Sequence, residues 1–167
     1  MKKLLRITLI IALFFIFYDA NWNNKEAFSS TEVSKKISST ENKISLYFPQ
    51  KEIDIINNAA KRNNCTGENR IILFSIRKAE GSLSIGNEFG IKCPKHINTN
   101  LDGQAACAAV TIMNNRIRWK EAGEPGDFIS FLGGNYCPTT GELTKKEQEL
   151  NKNWIPNVKD WVKKLSS

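Results

Sequence analysis

The sequence predicts a mainly α-helical domain, and three observations support this fold class. Apolar residues recur at helical spacing in residues 52–62, 71–79 and 101–119. Gly, Asn and Pro residues lie between these stretches, where helices are expected to end. Residues with helix-capping side chains stand before two of the apolar stretches, namely Asn100 or Thr99 before the third helix and Asp127 before the fourth.

The first 20 residues have the pattern of an export segment. Basic residues precede an apolar run at residues 7–17, and Ala20 follows. This order is typical of a secretory signal, and the run is short for a membrane span, which needs about 20 apolar residues. We therefore predict an exported protein, either periplasmic or secreted. Tyr18 stands where a cleavage site prefers a small residue, so an uncleaved N-terminal membrane tether is the alternative.

The chain is predicted to contain one folded domain. Residues 21–44 are rich in Ser, Asn, Lys and Glu and show no sustained periodicity, which is typical of a flexible tether. We therefore divide the chain into residues 1–20, the export segment; residues 21–44, the tether; and residues 45–167, the domain. Residues 45–49 are predicted to lead into the domain as a short extended segment.

The predicted helices have identifiable starts and stops. Thr66 is a candidate N-cap for the second helix, and Gly133 and Gly134 are expected to end the fourth helix after Leu132. A polar loop is predicted from there to about Lys152. The third helix has small residues at its centre, with an apolar face that continues through Val110, Met113 and Ile117, and is predicted to pack on the second. The predicted helices span residues 52–62, 68–80, 101–119, 128–132 and 153 onward.

Glu80 is the strongest candidate for chemistry. It is predicted to end the second helix, because its apolar run stops at Glu80 and Gly81 follows. Burial against apolar neighbours and the negative end of the helix dipole would both raise the pKa of this carboxyl group. A raised pKa suits a general acid that protonates a leaving oxygen at neutral pH. The alternative is a surface Glu80 paired with Lys78 or Arg77.

The segment around Glu80 resembles a known group of enzymes. A helix that ends in Glu80-Gly81-Ser82, followed by the turn N-E-F-G-I-K at residues 87–92, is similar to the lysozyme-like superfamily of peptidoglycan-cleaving enzymes. It is most similar to the bacterial endo-β-N-acetylglucosaminidase branch, and next to the lytic transglycosylases. The resemblance extends roughly over residues 52–165.

The resemblance implies a fold, a reaction and a set of site residues. The fold would be a lysozyme-like helical domain in which a small loop or hairpin, within residues 81–99, lines the substrate cleft. The reaction would be cleavage of the β-1,4 bond between N-acetylglucosamine and N-acetylmuramic acid, with Glu80 as catalytic acid. The turn residues Ser82, Glu88 and Phe89 are then candidates for substrate binding.

A later segment carries a looser resemblance to the same branch. There, a turn that contains a Tyr leads to an aromatic residue and a Val on the final helix, as Tyr136, Trp154 and Val158 do here. If the match holds, Tyr136 projects into the cleft opposite Glu80 and orients the substrate or polarises its acetamido group. Trp154 and Trp161 are predicted to anchor the last helix in the core, with stacking of Trp154 on a sugar face as the alternative.

The remaining chemistry leaves three functions open. A hydrolase usually supplies a second carboxylate, for which Glu88, Asp102 and Asp127 are the candidates. Without one, the acetamido group of the sugar could assist, or Glu80 could act as acid and then base in a lytic transglycosylase that forms 1,6-anhydro ends. The third function is a non-catalytic module that binds peptidoglycan within an envelope assembly.

Cysteines, metals and charge limit the partners. Four cysteines in an exported chain predict two disulfides, with three pairings open and four free thiols as the alternative. No metal or cofactor is expected, because no C-x-x-C pair occurs and the single His96 lacks a partner at ligand spacing.

The formal net charge of +7 fits attraction to anionic cell-wall polymers, or solubility alone. Nucleic acid is not an expected partner, since no basic run with interleaved aromatic residues occurs; we expect a monomer.

Overall fold

The mainly α-helical prediction is confirmed by a computed structural model. The chain divides into two compact units, residues 1–41 and residues 42–167. In the first unit the structure describes residues 38–41, which are helical. The described residues form helices, and no strand occurs among them. The structure describes residues 38–81, 88–91, 100–136 and 144–166.

Seven helices follow one another through the described part of the second unit. None of the helices in these ranges has the length and apolar character needed to cross a membrane; the apolar run at residues 7–17 lies outside them. The helices are α1 (residues 42–47, the part within this unit of a helical run over residues 38–47), α2 (Gln50–Arg62), α3 (Glu68–Ala79), α4 (Leu101–Glu121), α5 (Phe128–Tyr136), α6 (Lys145–Lys152) and α7 (Trp154–Ser166).

Helix α3 lies at the centre of the second unit. It contacts α7, α4 and α2, and its residues Ile72 to Ile76 are all buried, with Ile72, Leu73 and Phe74 completely inaccessible. Burial of a large apolar side chain contributes about 1.5–3 kcal/mol, so this apolar run fixes α3 inside the core. Everything at the C-terminal end of α3 is therefore held by a rigid element.

The predicted contact between the third and second helices is confirmed, with one correction. Helix α4 contacts both α3 and α2 through its small residues, because Ala105, Ala108 and Ala109 are completely buried. The expected apolar face is wrong in part, since Val110 and Ile117 are 43% and 53% exposed. The small side chains, which let helix backbones approach closely, determine the buried face of α4.

The predicted extended segment at residues 45–49 is wrong for residues 45–47, which are helical, whereas Pro49 has extended backbone directly before α2. Helix α1 covers residues 42–47, and Ile44 and Phe48 are both buried in the core. These two residues are four apart, which places them on one face of a helix. The sequence does not single out this pair, because Leu46 and Tyr47 between them are also apolar or aromatic but exposed, and residues up to 44 have the composition of a tether.

Three further local predictions are corrected. Gly67, and not Thr66, is the N-cap residue of α3, without a side-chain hydrogen bond. Helix α5 continues through Gly133 and Gly134 to Tyr136. The predicted polar loop before Lys152 contains helix α6. The predicted caps at Asn100 and Asp127 are confirmed, since their side chains accept hydrogen bonds from the N–H groups of the third residue after each cap.

The prediction that all four cysteines pair is wrong. Cys65 is a free, completely buried thiol, whose pKa burial raises to about 12 against a small lowering by the Arg116 charge. Cys107 is disulfide-bonded. No disulfide joins two cysteines that both lie within the described ranges, and Cys93 and Cys137 are outside them.

Candidate active site at the end of helix α3

Glu80 caps the C-terminal end of α3. Its backbone is still helical, and its N–H donates to the carbonyl of Ile76 at 2.9 Å. Gly81 then takes a φ of +72°, in the left-handed region that favours glycine. The helix end predicted at Glu80 and Gly81 is confirmed, and the carboxyl group is half-buried.

Trp154 is the side-chain partner of Glu80. The indole Nε1–H donates to Oε1 of Glu80 at 2.8 Å, from the first residue of α7. Trp154 is only 5% exposed, so its ring is part of the core, as the sequence predicts. The hydrogen bond was not predicted, because the two residues are 74 positions apart and no local pattern links them.

The described surroundings favour the protonated form of Glu80. Burial raises its pKa, and the hydrogen bond from Trp154 opposes this only in part. The indole N–H can donate to Oε1 whether the carboxyl group is ionised or neutral, because Oε1 keeps a lone pair in both states. In the neutral carboxyl group the proton would sit on Oε2, the oxygen that does not accept from the indole.

The Phe89-Gly90 turn packs directly against that second oxygen. Gly90 has a φ of +62°, and a Cβ atom built on it would lie 2.4 Å from Oε2 of Glu80. The hydroxyl of Tyr136 donates to the carbonyl of Phe89 at 2.7 Å. The turn is thus tied to α5, and only a glycine lets its backbone approach the carboxyl group so closely.

The structure brings Tyr136 next to Trp154. Their rings are stacked, with centroids 5.0 Å apart and planes 24° apart. Glu80, Trp154, Tyr136 and the backbone of Phe89 therefore form one connected cluster, which we call the Glu80 cluster. The sequence singled out all four residues, but it assigned Phe89 a substrate-binding role that does not suit its ring.

Phe89 belongs to the core. Its side chain is completely buried, so the ring cannot touch a substrate without rearrangement of the fold, and its backbone holds the turn. Glu88 is half-buried beside it. Ser82, the other candidate in this turn, lies outside the described residues.

Gly133 allows helix α5 to approach α7 beneath the cluster. A Cβ atom on Gly133 would lie 2.4 Å from Cγ1 of Ile155 and 3.2 Å from Cε3 of Trp154. Neighbouring Gly134 is exposed, and a Cβ atom there would meet nothing within 4 Å. A glycine within a helix usually weakens it; here Gly133 permits the contact that positions Trp154.

An ion pair holds the chain immediately after Glu80. Nη1 of Arg77 donates to the carbonyl of Gly81 at 2.6 Å, and Nε of Arg77 lies 2.7 Å from Oε1 of Glu52. The Nε–H is not aligned for a hydrogen bond to Glu52, so that contact is ionic. Both side chains are less than one-fifth exposed. In the alternative interpretation, a surface Glu80 pairs with Lys78 or Arg77. Arg77 pairs with Glu52 instead, so it is not the partner of Glu80.

The other carboxylates proposed as a second catalytic group have structural partners. Asp102 receives two hydrogen bonds from Arg62 at 2.7 and 2.8 Å. Asp127 caps α5 and pairs with Lys159 at 2.9 Å. Among the candidates, Glu88 alone belongs to the turn that meets Glu80. Within the described ranges, no group of three or more His, Cys, Asp or Glu side chains could hold a metal ion.

Comparison with known proteins identified no relative of this chain. No protein-family model, curated protein or solved structure matches the chain.

Proposed function

We propose that this protein cleaves the β-1,4 glycosidic bond between N-acetylglucosamine and N-acetylmuramic acid in peptidoglycan, with Glu80 as the general acid in a lysozyme-like domain. One observation carries the proposal: the half-buried Glu80 carboxyl group has a raised pKa and one oxygen fixed by the indole of Trp154. A general acid needs both its proton and a fixed orientation. The export predicted from residues 1–20 would bring the domain to this substrate.

In the acid step, Glu80 gives the proton on Oε2 to the glycosidic oxygen. The bond between that oxygen and the anomeric carbon breaks, its electron pair stays with the leaving oxygen, and positive charge develops on the sugar ring. Trp154 keeps donating to Oε1, so the ionised carboxylate that results is stabilised without reorientation. The carboxylate can then take a proton from the group that attacks the anomeric carbon.

The attacking group decides the product. Water, activated by Glu80 or by Glu88, gives a reducing end, and the acetamido group can assist this route. Attack by the sugar's own 6-hydroxyl gives a 1,6-anhydro end, the lytic transglycosylase reaction. The ion pairs of Asp102 and Asp127 support a reaction that depends on few carboxylates. We therefore propose Glu80 as the essential acid for either product.

Product analysis tests this proposal. The purified full chain is incubated with peptidoglycan, and the soluble fragments are analysed by mass spectrometry. Anhydro-muramyl ends identify a transglycosylase, and new reducing N-acetylglucosamine ends identify a glucosaminidase. Failure of the wild-type protein to release any fragment from well-presented substrate overturns cleavage and favours a module that only binds peptidoglycan.

Three variants assign the role of Glu80. Glu80→Gln keeps an oxygen that can accept from Trp154 but cannot deliver a proton, so product release is expected to fall by about 100-fold or more. Glu121→Gln, at an exposed position at the end of α4, is the matched control and keeps full release. Glu88→Gln tests the second carboxylate. A fully active Glu80→Gln protein ends the assignment.

A further inference from the structure

A small cavity adjoins the chain one residue after Glu80. Its volume is about 150 Å³, and it lies between the segment before α2 and the C-terminal end of α3. This volume is below the range of about 300–1,000 Å³ that is typical of complete ligand pockets, so the cavity suits one substituent of a longer chain. Its lining residues are Phe48, Glu52, Arg77, Lys78 and Gly81.

The charges in the cavity wall leave one cation unneutralised. Arg77 is neutralised by Glu52 and also donates to the carbonyl of Gly81. Lys78 has no ion pair with any described residue; its Nζ lies over the ring of Phe48, 4.6 Å from the centroid. The wall therefore carries a net charge of +1, positioned by a cation–π contact.

The partial negative charge at the C-terminal end of α3 does not cancel the positive charge of the cavity wall. The C-terminal end of a helix carries partial negative charge, which disfavours an anion. Here the guanidinium of Arg77 lies in the last turn and donates to the carbonyl of Gly81, directly after the C-cap residue Glu80. The N–H groups of Glu80 and Gly81 donate to the carbonyls of Ile76 and Lys78. The ammonium of Lys78 is thus the dominant charge that a ligand would meet.

We propose that this cavity is a binding subsite for a carboxylate-bearing substituent of the glycan strand, recognised by the ammonium group of Lys78. The inference rests on the proposed function, because it takes the glycan strand as the ligand. The carboxylate can belong to the lactyl group of a muramic acid or to a peptide attached to it. Because Gly81 adjoins Glu80, occupation of the subsite would fix which linkage reaches the acid.

Binding measurements with two oligosaccharides test the subsite. The full chain carrying Glu80→Gln, which is expected to cleave too slowly to consume the ligand during a titration, is titrated calorimetrically with two ligands. One is an oligomer of alternating N-acetylglucosamine and N-acetylmuramic acid, and the other is a neutral N-acetylglucosamine oligomer. Adding Lys78→Gln is expected to weaken binding of the muramic acid oligomer about fivefold, as loss of one partly screened ion pair does. Binding of the neutral oligomer is expected to stay unchanged.

Lys120→Gln is the matched control. Lys120, like Lys78, lies in the last turn of a helix, but it is exposed on α4 and away from the cavity lining. This variant is expected to bind both oligomers as the parent does. An equal loss for Lys78→Gln and Lys120→Gln, or an equal loss for both oligomers, overturns the subsite. A muramic acid oligomer with free lactyl groups and one that carries peptides distinguish the two sources of the carboxylate.

The outcomes separate this inference from the proposed reaction. If the wild-type protein releases product and Lys78→Gln does not change oligomer binding, the subsite is rejected and the cleavage proposal is retained. If the wild-type protein releases no product but Lys78→Gln selectively weakens binding of the muramic acid oligomer, cleavage is rejected and the subsite is supported in a binding module.

Discussion

The indole nitrogen of Trp154 donates to Oε1 of Glu80 at 2.8 Å and thereby joins the start of α7 to the end of α3. Both helices pack in the same core, so the hydrogen bond has a rigid element on each side. It fixes the rotation of the carboxyl group and leaves Oε2 as the oxygen that does not accept from the indole. Two glycines, Gly90 and Gly133, make room for this arrangement.

Removal of the indole donor is expected to raise the pKa of Glu80 further. Trp154→Phe keeps an aromatic ring but loses the N–H that stabilises the carboxylate. The half-buried oxygen then lacks its donor, which costs about 1–3 kcal/mol of stability. We expect product release to fall about tenfold, because the acid loses its fixed orientation. Carbon-13 NMR titration of the Glu80 carboxyl group measures the pKa directly.

Trp161→Phe is the control for this change. Trp161 lies on the same helix, half-buried, with its ring in edge contact with Tyr47 at 5.1 Å. This variant is expected to leave the Glu80 titration and product release unchanged. A Trp154→Phe protein whose Glu80 titrates as in the wild type would contradict the role given to the hydrogen bond.

Gly90→Ala is expected to displace the Glu80 carboxyl group. The new Cβ atom would lie 2.4 Å from Oε2, and the φ of +62° adds the cost of a left-handed residue, about 1–2 kcal/mol. Gly126→Ala is the matched control, since Gly126 has a φ of +66° with nothing within 4 Å of a Cβ atom. Urea denaturation should show a larger loss for Gly90→Ala, and only this variant should lose product release. Equal behaviour of the two variants would argue against close packing on Oε2.

Two adjacent glycines of α5 should respond in opposite directions to alanine. Gly133→Ala overpacks the contact with Ile155 and Trp154, which costs about 1–3 kcal/mol. Gly134→Ala meets nothing and should stabilise the exposed helix by up to about 1 kcal/mol. Urea denaturation measures both, and near-ultraviolet circular dichroism reports movement of Trp154 in Gly133→Ala. Stabilisation by both substitutions would disprove the close approach of α5 and α7.

The stability of the protein should depend on pH through Glu80. Its pKa is raised from 4.5 in the fold, so the folded state binds the proton more tightly than the unfolded state. The contribution of Glu80 is complete below pH 4.5 and is lost as the pH rises through the folded pKa. Glu80→Gln cannot ionise and does not lose this contribution. The free energy of unfolding of Glu80→Gln, relative to that of the wild type, should therefore increase from pH 4 towards neutral pH. A difference that is independent of pH would refute the raised pKa.

Asp127 provides a comparison of opposite sign in the same urea experiments. Burial is the largest single effect and raises its pKa, but the hydrogen bonds from Lys159 and Ser130 and the charge of Lys159 together outweigh it and lower the pKa from 3.8 to about 2. Its contribution is present above pH 3.8 and is lost as the pH falls through about 2. Asp127→Asn should therefore approach wild-type stability only in acid. If Asp127→Asn instead matched the wild type in stability near neutral pH and differed from it only in acid, the ion pair with Lys159 would have no stabilising effect.

Local patterns in the sequence predicted the elements that carry strong local signals. Helices α2, α3 and α4 follow from apolar periodicity, and Asn100 and Asp127 act as caps because their side chains bond backbone groups three residues away. The missed helices have weak local signals. Helix α6 is almost entirely polar, and the segment of α1 buries only Ile44 and Phe48, while the intervening Leu46 and Tyr47 are exposed and break the periodicity.

The sequence by itself determined that Glu80 ends an apolar helix, because helix periodicity and a glycine stop are encoded within a few adjacent residues. Only the tertiary structure decided that Trp154 donates to it, that Gly90 packs on its second oxygen and that Gly133 makes room for the indole. These contacts join residues far apart in the chain. Their geometry depends on how closely whole helices approach, which packing of the complete core decides.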